Sequence, residues 1–161
     1  ALQTTQTPSA LLLTRQGVPV GTLQIDTIVS GVQKGAYIIE DGSKHPELIF
    51  LATGSEVSLA LEVADLMNDK HIRVVSMPCL EIFDQQSTEY KSQILPERGC
   101  MKISIEAGIT RGWEKYISSN GLAIGIDHFG ASAPYKDLAK EFGFTASQIE
   151  KKVRDHLAAL L

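Results

Sequence analysis

The chain has 161 residues, enough to bury a core of its own in one domain with a short appendage. Hydrophobic residues make up 43% and charged residues 21%, the balance of a soluble globular protein. A net charge of −4, with no basic stripe interleaved with aromatics, argues against a nucleic-acid partner, and no apolar run approaches the ~18 residues of a membrane helix.

Cys79 and Cys100 form no CxxC and read as reduced, buried thiols. No signal peptide is visible, so the expected location is the cytoplasm, or a plastid if the source is a plant. The chain opens Ala1-Leu2-Gln3 and runs almost at once into an apolar stretch, which reads as a cut through a longer polypeptide.

Ala10 to Thr14 (ALLLT) predicts a short buried strand, one that can belong to a preceding domain. Residues 16–33 hold scattered Gly, Thr and Gln with little periodicity and read as an extended linker. The expected division is therefore a tail and linker over 1–33 and an α/β domain over 34–161. Ala36 to Glu40 reads as a strand. Asp41-Gly42 and Pro46 then mark a turn too short for a parallel crossover, which predicts an antiparallel hairpin with the next strand.

Residues 47–67 carry the strongest local signal. Leu48-Ile49-Phe50-Leu51-Ala52 is an unbroken apolar run, as a strand covered on both faces requires. Thr53-Gly54-Ser55-Glu56 fits a capping box, and Val57, Ala60, Leu61, Ala64 and Met67 recur at helical spacing. A strand turning sharply into a helix is half of a βαβ unit. Parallel strands follow at Ile72 to Met77, Lys102 to Ala107 and Leu122 to Asp127. Residues 80–95 are weakly periodic, and a short helix is expected over 113–118. Pro134 and Gly143 bracket another helix. Thr145-x-x-Gln148 opens a last one with Ile149, Val153, Leu157 and Leu160 on one stripe. The fold class is α/β: a three-layer mixed sheet of four parallel strands and one antiparallel edge strand, with helices on both faces.

In such sheets ligands bind beyond the carboxyl ends of the strands. That rule nominates Thr53, Gly54 and Ser55, then Glu106, then Asp127 and His128. Backbone N–H groups of Gly54 and Ser55 could hold an anion, but a capped helix start needs these residue types for its own sake. Glu106 with Asp127 and His128 could do acid–base work, yet carboxylates at strand ends more often cap turns. His45, His71 and His156 show no ligand spacing. Gly130-Ala131-Ser132-Ala133-Pro134 lacks the final glycine of a nucleophile elbow, and neither GxGxxG nor GxxxxGK[ST] occurs. Arg15 follows an apolar run and precedes a Gly-x-Pro turn. That position suits phosphate or carboxylate, although by itself it reads as a solvated surface arginine.

Several segments, in order along nearly the whole chain, resemble the transketolase family. They are Leu13-Thr14-Arg15-Gln16-x-x-Pro19, Gly35-Ala36-Tyr37-Ile38-Ile39, Leu51-Ala52-Thr53-Gly54-Ser55-Glu56-Val57, and Ile105-Glu106-Ala107-Gly108 with Gly112-Trp113. The most specific is the run from Gly125 to Pro134, GIDHFGASAP, with Phe142-Gly143-Phe144-Thr145 after it. Deoxyxylulose phosphate synthase shares the fold but lacks the Arg-Gln-x-x-Pro segment. The chain departs from the family at Gly17-Val18, where many members carry Asn-Leu.

The resemblance implies the C-terminal domain of an enzyme of the pentose phosphate pathway, a homodimer that transfers a two-carbon ketol unit between phosphorylated sugars. It implies thiamine diphosphate with Mg2+ or Ca2+ in the parent enzyme, both held by domains not found here, so this chain would bind no cofactor or metal and be inactive alone. Its partners would be the rest of the polypeptide, a second copy and the sugar phosphates. Arg15 matches the arginine that grips the substrate phosphate, and no catalytic residue carries over. The alternatives are a regulatory ligand module with its crevice at Thr53, Gly54, Ser55, Glu106 and Asp127, and a structural dimer-interface domain.

Overall fold

A computed structural model describes residues 8–21, 23–69, 71–117 and 119–160. Five strands form one sheet in the order β1-β3-β2-β4-β5. They are β1 (Tyr37–Asp41), β2 (Leu48–Ala52), β3 (Ile72–Ser76), β4 (Met101–Ile105) and β5 (Leu122–Ile124). The helices are α1 (Ile25–Lys34), α2 (Glu56–Met67), α3 (Leu80–Asp84), α4 (Thr88–Ile94), α5 (Tyr135–Glu141) and α6 (Ala146–Ala158), with a 3-10 turn over Trp113–Lys115. β2 pairs in parallel with β3 and β4, β4 pairs in parallel with β5, and β1 alone is antiparallel. The expected sheet composition is thus met.

The alternation of side chains along the central strands builds two cores. Leu48, Phe50 and Ala52 join Val74, Ile103 and Ile105 on one face, against Ala60 and Val63 of α2 and Ile149 and Val153 of α6. Ile49 and Leu51 join Val75 on the other face, against Phe83, Ile94, Trp113 and Tyr116. Every residue of β2 is buried, as its unbroken apolar run demands. Each fully buried large side chain contributes about 1.5–3 kcal/mol.

Four expectations are corrected. The first is the hairpin. β1 runs opposite to β2 but pairs with β3, Asp41 facing Arg73 and Tyr37 facing Ser76. Both edges of β2 are already taken by β3 and β4, so the connection carries the chain past β3. Gly42 N–H donates to Ile72 O and Glu47 N–H to His71 O along the way.

The second concerns residues 25–34, which form α1 rather than extended linker. Glycine at position 31 hid the helix. A Cβ there would lie 2.3 Å from the Tyr37 ring, so the close packing of α1 on β1 requires glycine. Gly35 ends the helix at φ +83°, and a side chain there would strike Cys79 O.

The third is the strand over Ala10 to Thr14. Leu11, Leu12 and Leu13 are extended, in no sheet, and 70%, 91% and 86% exposed. No described strand pairs with them.

The fourth is the pair of capping boxes. Thr53 spends its hydroxyl on Glu106, and Glu56 accepts from Ser55 Oγ. Thr145 and Gln148 bond to each other, side chain to side chain. Both thiols are free and half-buried. No helix among the described residues is long and apolar enough to cross a membrane.

Candidate functional site

The adjacency of β2 and β4 places Thr53 beside Glu106, since each follows the last residue of its strand. Thr53 Oγ1–H donates to Glu106 Oε2 at 2.5 Å. Burial pushes the Glu106 carboxyl above the usual range. The Thr53 bond opposes that rise, and the nearby Glu56 charge adds to it. Glu56 is itself buried at the start of α2. Two carboxylates at this helix start make it a poor anion cradle, whatever the backbone N–H groups of Gly54 and Ser55 offer.

Gln16, which the sequence reading did not single out, completes this corner. Its Nε2 donates to Ser55 Oγ at 3.0 Å, and Ser55 Oγ–H donates on to Glu56 Oε1 at 2.9 Å. The same contact docks the segment 14–16 on the β2–α2 turn. A Cβ built on Gly54, whose φ is +51°, would sit 3.4 Å from Thr14 Cγ2. Arg15 thereby projects from an anchored segment. It is exposed and has no hydrogen bond or ion pair among the described residues.

Asp127 is separate from this cluster. It accepts from Thr110 N at 2.8 Å and from Thr110 Oγ1 at 2.9 Å, fastening the turn after β4 to the end of β5. Gly125 permits that approach, because a Cβ there would lie 2.6 Å from Gly108 O. His128 stacks edge-on against Phe142 and bonds Phe129 O. The structure thus joins Thr53 to Glu106 and Ser55 to Gln16 and Glu56, while Asp127 and His128 bond within the neighbouring loops. Among the described residues no group of three or more His, Cys, Asp and Glu could hold a metal ion.

The raised pKa of Glu106 has a consequence for stability. A carboxyl whose folded value exceeds its unfolded one, near 4.5, contributes most below the unfolded value and loses that contribution as pH rises through the folded one. Glu106→Gln keeps an oxygen for the Thr53 hydroxyl and removes the charge. Urea denaturation is expected to find the variant more stable than wild type at pH 7, with the difference gone below about pH 4. A less stable variant at pH 7 contradicts this.

An open α/β sheet with one antiparallel edge strand, and the segment 14–16 clipped to its carboxyl end, defines the class of fold. Comparison with known proteins names the class. The family described as "Transketolase-like TK C-terminal domain" matches residues 35–145. A transketolase of Staphylococcus epidermidis is 45% identical over 156 residues, 96% of this chain and 24% of that protein. The transketolase structure from Leishmania mexicana superposes with a TM-score of 0.72 at 41% identity, covering 79% of this chain and 18% of its own. A Pichia stipitis transketolase in complex with sedoheptulose-7-phosphate gives 0.73 at 33% identity, covering 81% and 19%. The chain belongs to the transketolase C-terminal domain family, and it spans about a quarter of the length of the curated relative it matches.

Proposed function

We propose that this chain serves a two-carbon ketol transferase acting on phosphorylated sugars, to which it lends Arg15 as the grip on substrate phosphate. The observation that carries this reading is the anchored guanidinium, unpaired among the described residues. Gln16 is pinned to Ser55, so Arg15 is held at a fixed place while its charge stays free. The Pichia relative was captured with a sugar phosphate, which fits such a role. A charge-assisted bond to phosphate is worth about 1.5–3 kcal/mol.

The remaining parts of the proposal follow from the family. Thiamine diphosphate with Mg2+ or Ca2+ would supply the carbanion chemistry from elsewhere in a full-length homodimer, in the cytoplasm or a plastid. The residues described here do not compose a metal–diphosphate site, as the carboxylates at the sheet end are committed to Thr53, Ser55 and Thr110. The exposed Leu11-Leu12-Leu13 run and the α1 surface of Ile25, Val29 and Val32 fit docking on that larger body. Because α1 packs on β1 and α3, we place the start of the α/β domain ahead of α1, with residues 8–21 belonging to the preceding segment.

The isolated chain, shown folded by circular dichroism, is expected to form no sedoheptulose 7-phosphate from xylulose 5-phosphate and ribose 5-phosphate with thiamine diphosphate and magnesium present. Sustained product formation would overturn the proposal.

A further inference from the structure

A cavity of ≈ 510 Å³ opens on the face of the sheet covered by α3 and α4, within the ~300–1,000 Å³ of small-molecule sites. It lies toward the opposite end of the strands from Thr53 and Glu106. Lys102 on its wall is the second residue of β4, whereas Glu106 follows the last. Three lysines line it: Lys91 from α4, Lys102, and Lys115 from the 3-10 turn.

Two of the three ammonium groups have partners. Lys115 Nζ lies 2.6 Å from Asp84 Oδ2, and Lys91 Nζ donates to Asp84 O at 3.0 Å. Tyr116 OH donates to the second Asp84 carboxylate oxygen at 3.0 Å. Asp84 is therefore occupied on both sides.

Lys102 is different. It is 5% exposed and has no hydrogen bond or ion pair among the described residues. Among those residues only Ser104 Oγ is both sealed from solvent and without a hydrogen bond, so the Lys102 ammonium reaches the cavity rather than the closed core. The lysine stem is buried against the sheet while its charged head faces the open cavity, so the charge is not sealed in the core. A leucine or methionine would satisfy a strand covered on both faces. Lysine here sets a positive charge at the cavity wall that packing alone does not require.

We propose that this cavity binds a small phosphate-bearing anion, with Lys102 Nζ as the central donor. Lys91 and Lys115 each retain ammonium protons beyond those given to Asp84, and the hydroxyls of Thr88 and Ser92 also line the wall. Three point charges and two hydroxyls suit a tetrahedral dianion, and lysine binds phosphate as a point charge without the planar fork of arginine. Glu97, on the same wall, is the one acid there not saturated by the others, and it sets the competition an incoming anion must win.

The chain carries its own reporter. Trp113 is the single tryptophan, it is buried, and its ring centroid lies 6.1 Å from that of Tyr116, which lines the cavity. The test is a titration with inorganic phosphate and, separately, glucose 6-phosphate, at constant ionic strength balanced with chloride. Trp113 fluorescence and the thermal midpoint are followed together. The wild type is expected to give a saturable response and a rising midpoint with at least one of the two. A response to inorganic phosphate alone identifies the free ion as occupant, and a tighter response to the ester identifies a sugar phosphate.

Lys102→Met is expected to weaken binding about 10- to 100-fold while folding as well as wild type, since it keeps the length of the buried stem. Glu97→Gln is expected to tighten it. Absence of a saturable response to either probe overturns the proposal, as does a Lys102→Met chain that binds like wild type. A response lost on Arg15→Ala but kept on Lys102→Met would place the phosphate at the other end of the sheet and overturn it equally.

Discussion

Asp41→Ala is expected to destabilise the fold by about 3 kcal/mol, and Arg73→Ala by about 3–5 kcal/mol. Arg73 is 4% exposed in the middle of the sheet. Its Nε and Nη2 donate to the two Asp41 oxygens at 2.9 and 3.0 Å, a fork-to-fork pair across the β1–β3 ladder. Its Nη1 donates to Gln93 O at 2.8 Å and Ile94 O at 3.1 Å, carbonyls that the end of α4 leaves without helical partners. One side chain thus ties the antiparallel edge strand, the sheet and a helix end.

Removing Asp41 strands a guanidinium in the core. Its cost sits at the low end because the Asp41 side chain keeps 35% of its surface exposed. Removing Arg73 orphans the helix carbonyls as well. The corresponding fall in Tm is about 10 °C for a domain of this size. The double variant Asp41→Leu with Arg73→Met should recover part of the loss, because an apolar pair needs no counter-charge. Denaturation within 1 kcal/mol of wild type for Arg73→Ala would show that the network contributes nothing net.

The sheet could be read from the residues wherever burial imposes its own pattern. Leu48 to Ala52 is apolar throughout because it lies between two strands and two helical layers, and all five side chains are buried. Ile149 and Val153 at helical spacing reach the core as the stripe on α6 requires. Strand order resisted prediction because it is not a local property. Nothing between Asp41 and Glu47 says that β3 will insert beside β1.

The capping boxes failed for a related reason. Thr53 fits a cap by spacing, but its hydroxyl finds Glu106, 53 residues away, once β2 and β4 are neighbours. α1 was obscured by Gly31, a poor helix residue whose value lies in contact with Tyr37. The polar Lys102 and Ser104 alternate with Ile103 and Ile105 in a strand expected to be covered on both faces. Both are buried, and that departure from pattern was the available signal for the lysine cavity.

Of the candidate site residues, Thr53, Ser55 and Glu106 could be placed beyond strand ends by rule, and Thr53 and Glu106 do meet there. The rule also recruited Asp127, whose actual task is to hold Thr110. The role proposed for Arg15 comes from the family resemblance. The Gln16–Ser55 bond ties the segment that carries Arg15 to the β2–α2 turn, as the proposed role would require. Preorganisation of this kind would let the guanidinium meet a phosphate without ordering its backbone at the moment of binding.

Arg15 is proposed to act on the substrate's phosphate rather than on the fold. The measurement that tests it most directly is steady-state kinetics of Arg15→Ala in the full-length enzyme, with phosphorylated substrates and an unphosphorylated aldose acceptor compared side by side. KM for the sugar phosphates is expected to rise about 10- to 150-fold, the loss of one charge-assisted bond, with kcat and the unphosphorylated acceptor little affected. Unchanged KM values for the sugar phosphates, or an equal loss for both kinds of acceptor, would contradict it.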